Sequence, residues 1–197
     1  AWFHPRGNGL EIRAKLGIVS GDFVVGCVAN IAYYKGHDIL IRAFEKILEK
    51  IPNVHCLFVG RDDSDFAQRM KALVHGLGLT RYVHFVGFHA DTRPYFEAID
   101  LIVLPSRVEG APVALLEAMS MERALIASSV DGTPEIVKDG ETGVLIPPEN
   151  HEKVVEAVIA LYDSPERREK MGKSGRKWVA KFSSQIAHKT LLNGYSK

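Results

Sequence analysis

The chain has 197 residues, a length that corresponds to about one large domain. Hydrophobic residues make up 46% of it and charged residues 25%, which allows a sizeable buried core and excludes a disordered or collagen-like chain. The 25 lysines and arginines nearly balance the 24 acidic residues, so we expect no nucleic-acid partner. No apolar run approaches the roughly 18–20 residues that a membrane span requires.

Short apolar runs typical of strands alternate along the chain with longer amphipathic segments typical of helices. In chain order we predict a strand at 23–29, a helix at 35–50, a strand at 54–59, a helix at 64–76, a strand at 83–86, a helix at 92–98, a strand at 100–104, a helix at 112–121, a strand at 124–127, a short helix at 134–138, a strand at 143–146, and helices from about 150 to 196. Apolar strands separated by helices predict an α/β fold, a Rossmann-like doubly wound parallel sheet of about six strands.

The two cysteines indicate the cellular compartment, and the first residues indicate the position of the domain in a longer chain. Cys27 and Cys56 lie inside apolar strands, which favours buried free thiols over a disulfide or a zinc site, so we expect a soluble cytoplasmic protein. The stretch Trp2-Phe3-His4-Pro5 resembles a linker that enters a domain midway through a longer chain. We therefore expect residues 1–197 to form a single domain whose N-terminal partner domain is absent.

Two common nucleotide-binding motifs are missing. No Gly-x-Gly-x-x-Gly follows a strand, which disfavours a nicotinamide or flavin dehydrogenase, and the full P-loop pattern Gly-x-x-x-x-Gly-Lys-Ser/Thr does not occur. In doubly wound sheets ligands bind beyond the carboxyl ends of the strands, so the residues that follow each strand are the ones to examine.

Lys35-Gly36 follows the first strand and is predicted to open the first helix. A lysine at a helix start is unfavourable by itself, because the helix dipole places partial positive charge there. It is therefore either a solvated loop lysine or part of a phosphate site that also uses the free amides of the helix. The residue pattern alone leaves both interpretations open.

The segment 104–118 contains a strand end, a glycine and a proline that suits a first helical turn. Glu109 comes before this helix, and Glu117 lies about one and a half turns inside it. Taken singly, Glu109 could be an acid favoured by the helix dipole and Glu117 an exposed helix position. Together with Lys35 they favour a site that binds a diphosphate and the hydroxyl groups of a sugar.

These residues resemble a known family. The pattern Glu-Gly-x-Pro-x-x-Leu-Leu-Glu-Ala-Met, which contains Glu109 and Glu117, is similar to the donor-site signature of retaining glycosyltransferases with the GT-B fold. The similar group is the large one that includes lipopolysaccharide and glycolipid glycosyltransferases and sucrose synthase. Further matching segments lie at 35–38, 100–106, 132–137 and 139–146. The resemblance runs from about residue 10 to residue 182 and covers the C-terminal, nucleotide-sugar-binding half of the two-domain enzyme.

The resemblance implies a role for each matching position. Lys35 and Gly36 would bind the donor diphosphate, and Glu109 would hold the transferred sugar. Lys35 and Glu109 would be the catalytic residues. The diphosphate would be capped at the helix start by the segment Gly110-Ala111-Pro112-Val113.

The remaining positions concern the nucleoside and one departure from the family. Glu117 would hold the ribose hydroxyls, and Gly87 and Phe88 would lie beside the base. The family often has an arginine five residues before the lysine. Asn30 stands there in this chain and removes a positive charge.

The implied function is the donor-binding domain of a retaining glycosyltransferase. It would move a sugar from a nucleotide-diphosphate sugar to an acceptor such as a growing glycan or a lipid-linked saccharide. The missing N-terminal domain would bind that acceptor, so we expect the domain alone to be inactive. No cofactor or metal is expected, because a lysine and a helix N-terminus can stabilise the leaving diphosphate. Two alternatives are a non-catalytic nucleotide-binding module and a nucleotide-sugar epimerase of the GT-B type.

Two weaker signals have ordinary explanations. The acids Asp63 and Asp65 imitate a metal-binding pair, but residues just before a helix commonly cap its free amides. Residues 163–189 carry eight basic and three acidic side chains, most of which we interpret as a solvated helix face. A second interpretation of this segment is peripheral contact with anionic lipid at the inner face of a membrane.

Overall fold

A computed structural model describes residues 7–110 and 112–194, with side chains up to residue 181. The strands are β1 (Phe23–Val28), β2 (Val54–Val59), β3 (Val83–Phe85), β4 (Leu101–Leu104), β5 (Ala124–Ser128) and β6 (Val144–Ile146). The helices are α1 (Gly9–Lys15), α2 (His37–Lys50), α3 (Asp65–Gly76), α4 (Arg93–Ala98), α5 (Val113–Ser120), α6 (Thr133–Ile136), α7 (His151–Tyr162) and α8 (Pro165–Gly194). A 3-10 turn, Tyr33–Lys35, precedes α2.

The six strands form one parallel sheet in the order β3-β2-β1-β4-β5-β6. This order is that of a doubly wound fold, so the predicted Rossmann-like α/β class is confirmed. The chain leaves β1 toward β2 on one side and leaves β4 toward β5 on the other. The carboxyl ends of β1 and β4 therefore lie side by side at the switch point, where such folds bind ligands.

The centre of the sheet is buried because its strands carry almost only apolar side chains. All six residues of β1 are buried, including the free thiol Cys27, and the free thiol Cys56 is buried on the neighbouring strand β2. Helix α2 covers the sheet with residues spaced three and four apart, as one helical face requires. These are Leu40, Ala43, Phe44 and Ile47. Burial of each large side chain contributes roughly 1.5–3 kcal/mol and fixes where α2 begins relative to β1.

The structure differs from the sequence-based prediction at two places. Helix α1 was not predicted, because it spans only two turns and alternates apolar with charged residues. Lys35 was expected to be the first residue of α2, but it is not. It ends the 3-10 turn, Gly36 follows with φ +69°, and α2 begins at His37. The expected linker at residues 2–5 lies outside the described residues.

The turn between α5 and β5 contains a non-glycine residue in a left-handed conformation. Glu122 has φ 56°, and its carboxylate lies 3.5 Å from the guanidinium of Arg176. We expect Glu122→Gly to raise the free energy of unfolding by about 0.5–1 kcal/mol, because glycine adopts this conformation without strain. Urea unfolding of both proteins measures the difference. A loss of stability would mean that the partly exposed ion pair matters more than the backbone.

Two histidines make stability depend on pH. His37 has no exposed surface, and burial lowers its pKa to about 4. Burial, followed by a smaller effect of the charge of His55, lowers the pKa of His84 to about 4 as well. Since both folded-state pKa values lie below the ordinary value of about 6.5, the unfolded chain binds more protons between these limits.

The free energy of unfolding should therefore be highest above about pH 6.5 and fall as the pH drops toward 4, with His37 accounting for about 3 kcal/mol. Urea unfolding at several pH values measures this slope, and His84→Gln should flatten part of it. Equal stability at pH 7 and pH 5 would contradict the assignment of both rings as neutral.

Within the part of the chain that the structure describes, no helix is long and apolar enough to cross a membrane.

Candidate functional site

Two loops meet at the switch point of the sheet. The loop after β1 contains the 3-10 turn and Gly36, and the loop after β4 runs from Pro105 to Pro112. A side-chain carbon at Gly36 would lie 2.0 Å from the carbonyl oxygen of Pro105, so the two backbones are in direct contact there. The amide of Arg107 donates a 2.8 Å hydrogen bond to the carbonyl of Tyr34. The fold thus brings together segments that are about seventy residues apart in sequence.

Lys35 and Glu109 form an ion pair across these loops. The Lys35 Nζ lies 2.8 Å from Oε1 and 2.9 Å from Oε2 of Glu109. The side chain of Glu109 is only 5% exposed and that of Lys35 19% exposed, so solvent screens this pair little. The sequence predicts both residues as site residues, and the structure places them in contact.

The Glu109 carboxylate and backbone are held from two further directions. The hydroxyl of the buried Ser106 donates a 2.6 Å hydrogen bond to Oε1. The amide of Glu109 donates a 2.7 Å hydrogen bond to Oδ2 of Asp131, an exposed residue in the loop after β5. Sequence reasoning missed Ser106 and Asp131 as contacts of Glu109. The neighbouring positions of β4 and β5 in a doubly wound sheet could have suggested Asp131.

Arg107 is the main cross-link between the two loops, and sequence reasoning missed it. Its guanidinium donates two 2.8 Å hydrogen bonds to the carboxylate of Asp38 and also bonds Glu149. It also donates a 2.7 Å hydrogen bond to the backbone carbonyl of Tyr33, and it lies 4.0 Å from the centre of the Tyr33 ring. Hydrogen bonds to Asp38 raise the pKa of Arg107 above its ordinary value. Arg107 thus fixes the turn that carries Lys35 against the loop that carries Glu109.

Glu117 lies half-buried in the second turn of α5, and its carboxylate makes no hydrogen bond or ion pair to any described residue. Burial raises the pKa of its carboxyl above the ordinary value. Helix α5 begins at Val113 after Pro112, and no side chain of a described residue caps its first turn. Free amides at this helix start and a carboxylate in need of donors are what a diphosphate and a pair of hydroxyls would satisfy.

The loops after β2 and β3 form the side of the site next to β1. Asn30 is exposed, and its Oδ1 accepts a 3.0 Å hydrogen bond from the amide of Arg61. The Arg61 guanidinium lies 5.2 Å from the ring centre of Phe88, whose side chain is 60% exposed. Gly87 has φ +75°, and its carbonyl accepts a hydrogen bond from the amide of Gly60. Arg61 therefore brings a cation to the side of the site that contains Asn30, which sequence reasoning overlooked.

The other predicted positions have simpler outcomes. Gly110 is exposed before α5, and Ala111 lies outside the described residues. At the acidic segment before α3 the cap is Ser64, whose hydroxyl accepts from the amide of Ala67. Among residues 7–110 and 112–181, no group of three or more histidine, cysteine or acidic side chains is arranged to hold a metal ion.

Comparison with known proteins identifies the family. The family model of the glycosyl transferases group 1 matches residues 9–178. The chain therefore belongs to the group 1 glycosyl transferases, as the resemblance predicted. It is 31% identical over 188 residues to the alpha-D-kanosaminyltransferase of Streptomyces kanamyceticus. The aligned region covers 94% of this chain and 48% of that protein. The chain spans about half the length of the curated relatives that it matches.

Solved structures show the same fold. The C-terminal domain of a group 1 glycosyl transferase (LpcC) from Francisella tularensis superposes with a TM-score of 0.79 at 28% identity, covering 91% of this chain and 94% of that one. Anabaena HepE, solved in complex with UDP-glucose, superposes with a TM-score of 0.85 at 24% identity and covers 95% of this chain and 54% of that one. The predicted similarity to the C-terminal half of a GT-B enzyme is thus confirmed for the fold.

Proposed function

We propose that this chain is the donor-binding domain of a longer, retaining glycosyltransferase that uses a nucleotide-diphosphate sugar. The observation that carries the proposal is the buried contact between Lys35 and Glu109 at the switch point, with the unpartnered carboxylate of Glu117 on the adjoining helix. A site for a nucleotide alone would need the cation and a partner for the ribose, but no second carboxylate beside the phosphates. The UDP-glucose complex of Anabaena HepE, which has the same fold, supports this class of donor.

The chemistry of the proposed reaction requires stabilisation of the leaving diphosphate. As the bond between the sugar and the diphosphate breaks, negative charge accumulates on the phosphate oxygens. Lys35 and the uncapped amide groups at the start of α5 would lie around that charge and favour the transition state. A fixed cation and a helix terminus can do this without a divalent ion, so we propose that the domain needs no metal.

The nucleoside and the sugar would contact separate carboxylates. Glu117 would accept hydrogen bonds from the ribose hydroxyls, and its half-burial makes such partners favourable. Glu109 would accept from hydroxyls of the transferred sugar, and Gly87 and Phe88 would lie beside the base. The acceptor, a growing glycan or a lipid-linked saccharide, would bind mainly to the other half of the full-length enzyme and attack the same face of the sugar. This attack on the same face would retain the configuration of the donor.

Titration calorimetry tests the proposal. The 197-residue chain is titrated with UDP, GDP and ADP and with their glucose or mannose conjugates. The proposal predicts binding in the micromolar to millimolar range, about −8 to −4 kcal/mol, and a measurable difference between one nucleotide and its sugar conjugate. Equal affinity for both forms would favour a nucleotide-binding module without chemistry. Sugar transfer by the chain alone would contradict the expectation that a second domain is required.

A further inference from the structure

The ion pair between Lys35 and Glu109 occupies the cation that the proposed donor would need. Among the described residues, the Glu109 carboxylate contacts Lys35 Nζ through both oxygens, and Oε1 also accepts a hydrogen bond from Ser106. A diphosphate that binds Lys35 must therefore compete with a carboxylate of this chain. The competition is strong because charged partners at this degree of burial are little screened by water.

We propose that Glu109 is an internal competitor for Lys35, and that the sugar of the donor relieves this competition. The inference rests on the proposed function and adds to it the means by which the site tells a nucleotide sugar from a free nucleotide. When a nucleotide sugar binds, the Glu109 carboxylate exchanges its bond to Lys35 for bonds from sugar hydroxyls. Lys35 is then left for the diphosphate.

A free nucleoside diphosphate offers no such exchange. Its terminal phosphate would take Lys35 and leave Glu109 with Ser106 as its remaining donor, a nearly buried carboxylate beside a second anion. Both the lost pairing and the like charges oppose this arrangement. Free nucleotide therefore binds more weakly than the sugar conjugate. After transfer, the return of Glu109 to Lys35 favours release of the nucleoside diphosphate.

The surrounding contacts hold the backbone of both loops in place but leave the side chains of Lys35 and Glu109 able to change partners. Arg107 holds the turn of Lys35 through Asp38 and two backbone groups of that turn. Asp131 holds the amide of Glu109. With both backbones fixed, the two functional groups stay within reach of each other. A change of partner then requires only rotation of the Lys35 and Glu109 side chains.

The inference is tested by replacing the competing charge. Glu109→Gln keeps the shape of the side chain but removes its charge, so affinity for free UDP, GDP or ADP should rise about tenfold. Affinity for the sugar conjugate should rise less or fall, so the preference for the conjugate shrinks. Glu117→Gln should instead weaken both forms. Glu45→Gln, an identical change at an exposed residue of α2, should leave both affinities unchanged.

Each outcome of this titration decides a different question. If Glu109→Gln binds the free nucleotide no better than the original chain does, the internal competitor is wrong. If the original chain binds neither the nucleotides nor their conjugates, the proposed function itself fails. Ser106→Ala provides a second test, because it removes one hydrogen bond that holds the carboxylate and keeps the charge. It should lower free-nucleotide affinity by about twofold, because Glu109 then depends on Lys35 alone, and an increase would overturn the inference.

Discussion

Lys35→Ala is expected to weaken binding of a nucleotide-diphosphate sugar by about 1.5–3 kcal/mol, the range for loss of a hydrogen bond to a charged group. The same change should lower the free energy of unfolding by about 3 kcal/mol, because it leaves the buried carboxylate of Glu109 without its cation. Calorimetry measures the first effect and urea unfolding the second. These two losses have different origins and can be separated.

The double variant Lys35→Met with Glu109→Gln separates them. It removes both charges and keeps similar volumes, so stability should return while the diphosphate still lacks its cation. Circular dichroism verifies that each variant remains folded. Unchanged nucleotide-sugar affinity in a folded Lys35→Ala protein would return this residue to the class of ordinary surface lysines.

Gly36→Ala is expected to lower the free energy of unfolding by roughly 3–5 kcal/mol and to abolish detectable binding of nucleotide sugar. Gly36 has φ +69°, and an added side-chain carbon would lie 2.0 Å from the Pro105 carbonyl oxygen and 2.8 Å from its carbon. The contact involves backbone on both sides, so no side-chain rotation can relieve it. Relief requires separating the loops that carry Lys35 and Glu109.

Gly140→Ala is the matched control for this substitution. Gly140 has φ +73°, nearly the same backbone conformation, but an added carbon there would meet nothing within 4 Å. Its loss should be about 1 kcal/mol, the cost of the left-handed conformation alone. Urea unfolding compares the two variants. Equal losses would show that conformation, not the approach to Pro105, is what Gly36 provides.

The fold could be predicted from sequence because its local signals agree with one another. The run at 101–104 is apolar throughout and the run at 54–59 is apolar except for His55, as strands covered on both faces require, and the predicted bounds differ from the observed ones by at most one residue. Helix α1 escaped prediction because a seven-residue helix with no side-chain cap carries little periodic signal. The 3-10 turn escaped because it depends on the contact between Gly36 and a distant backbone.

The site was predicted in composition but not in its connections. Resemblance indicated Lys35, Glu109 and Glu117, but the contact between Lys35 and Glu109 joins residues that are 74 positions apart in sequence. Arg107 was overlooked because one arginine between two strands is unremarkable in sequence. Its partner Asp38 lies 69 residues before it in sequence, and its partner Glu149 lies 42 residues after it. Local patterns carry no information about such pairs until the sheet order is known.

A crystal structure of this chain with a nucleotide-diphosphate sugar would show which partners these side chains take. The proposed function predicts diphosphate oxygens about 3 Å from Lys35 Nζ, ribose hydroxyls at the Glu117 carboxylate, and the Glu109 carboxylate turned from Lys35 to the sugar. A nucleotide bound away from the carboxyl ends of β1 and β4 would contradict it. So would a bound donor beside which the ion pair between Lys35 and Glu109 remains intact.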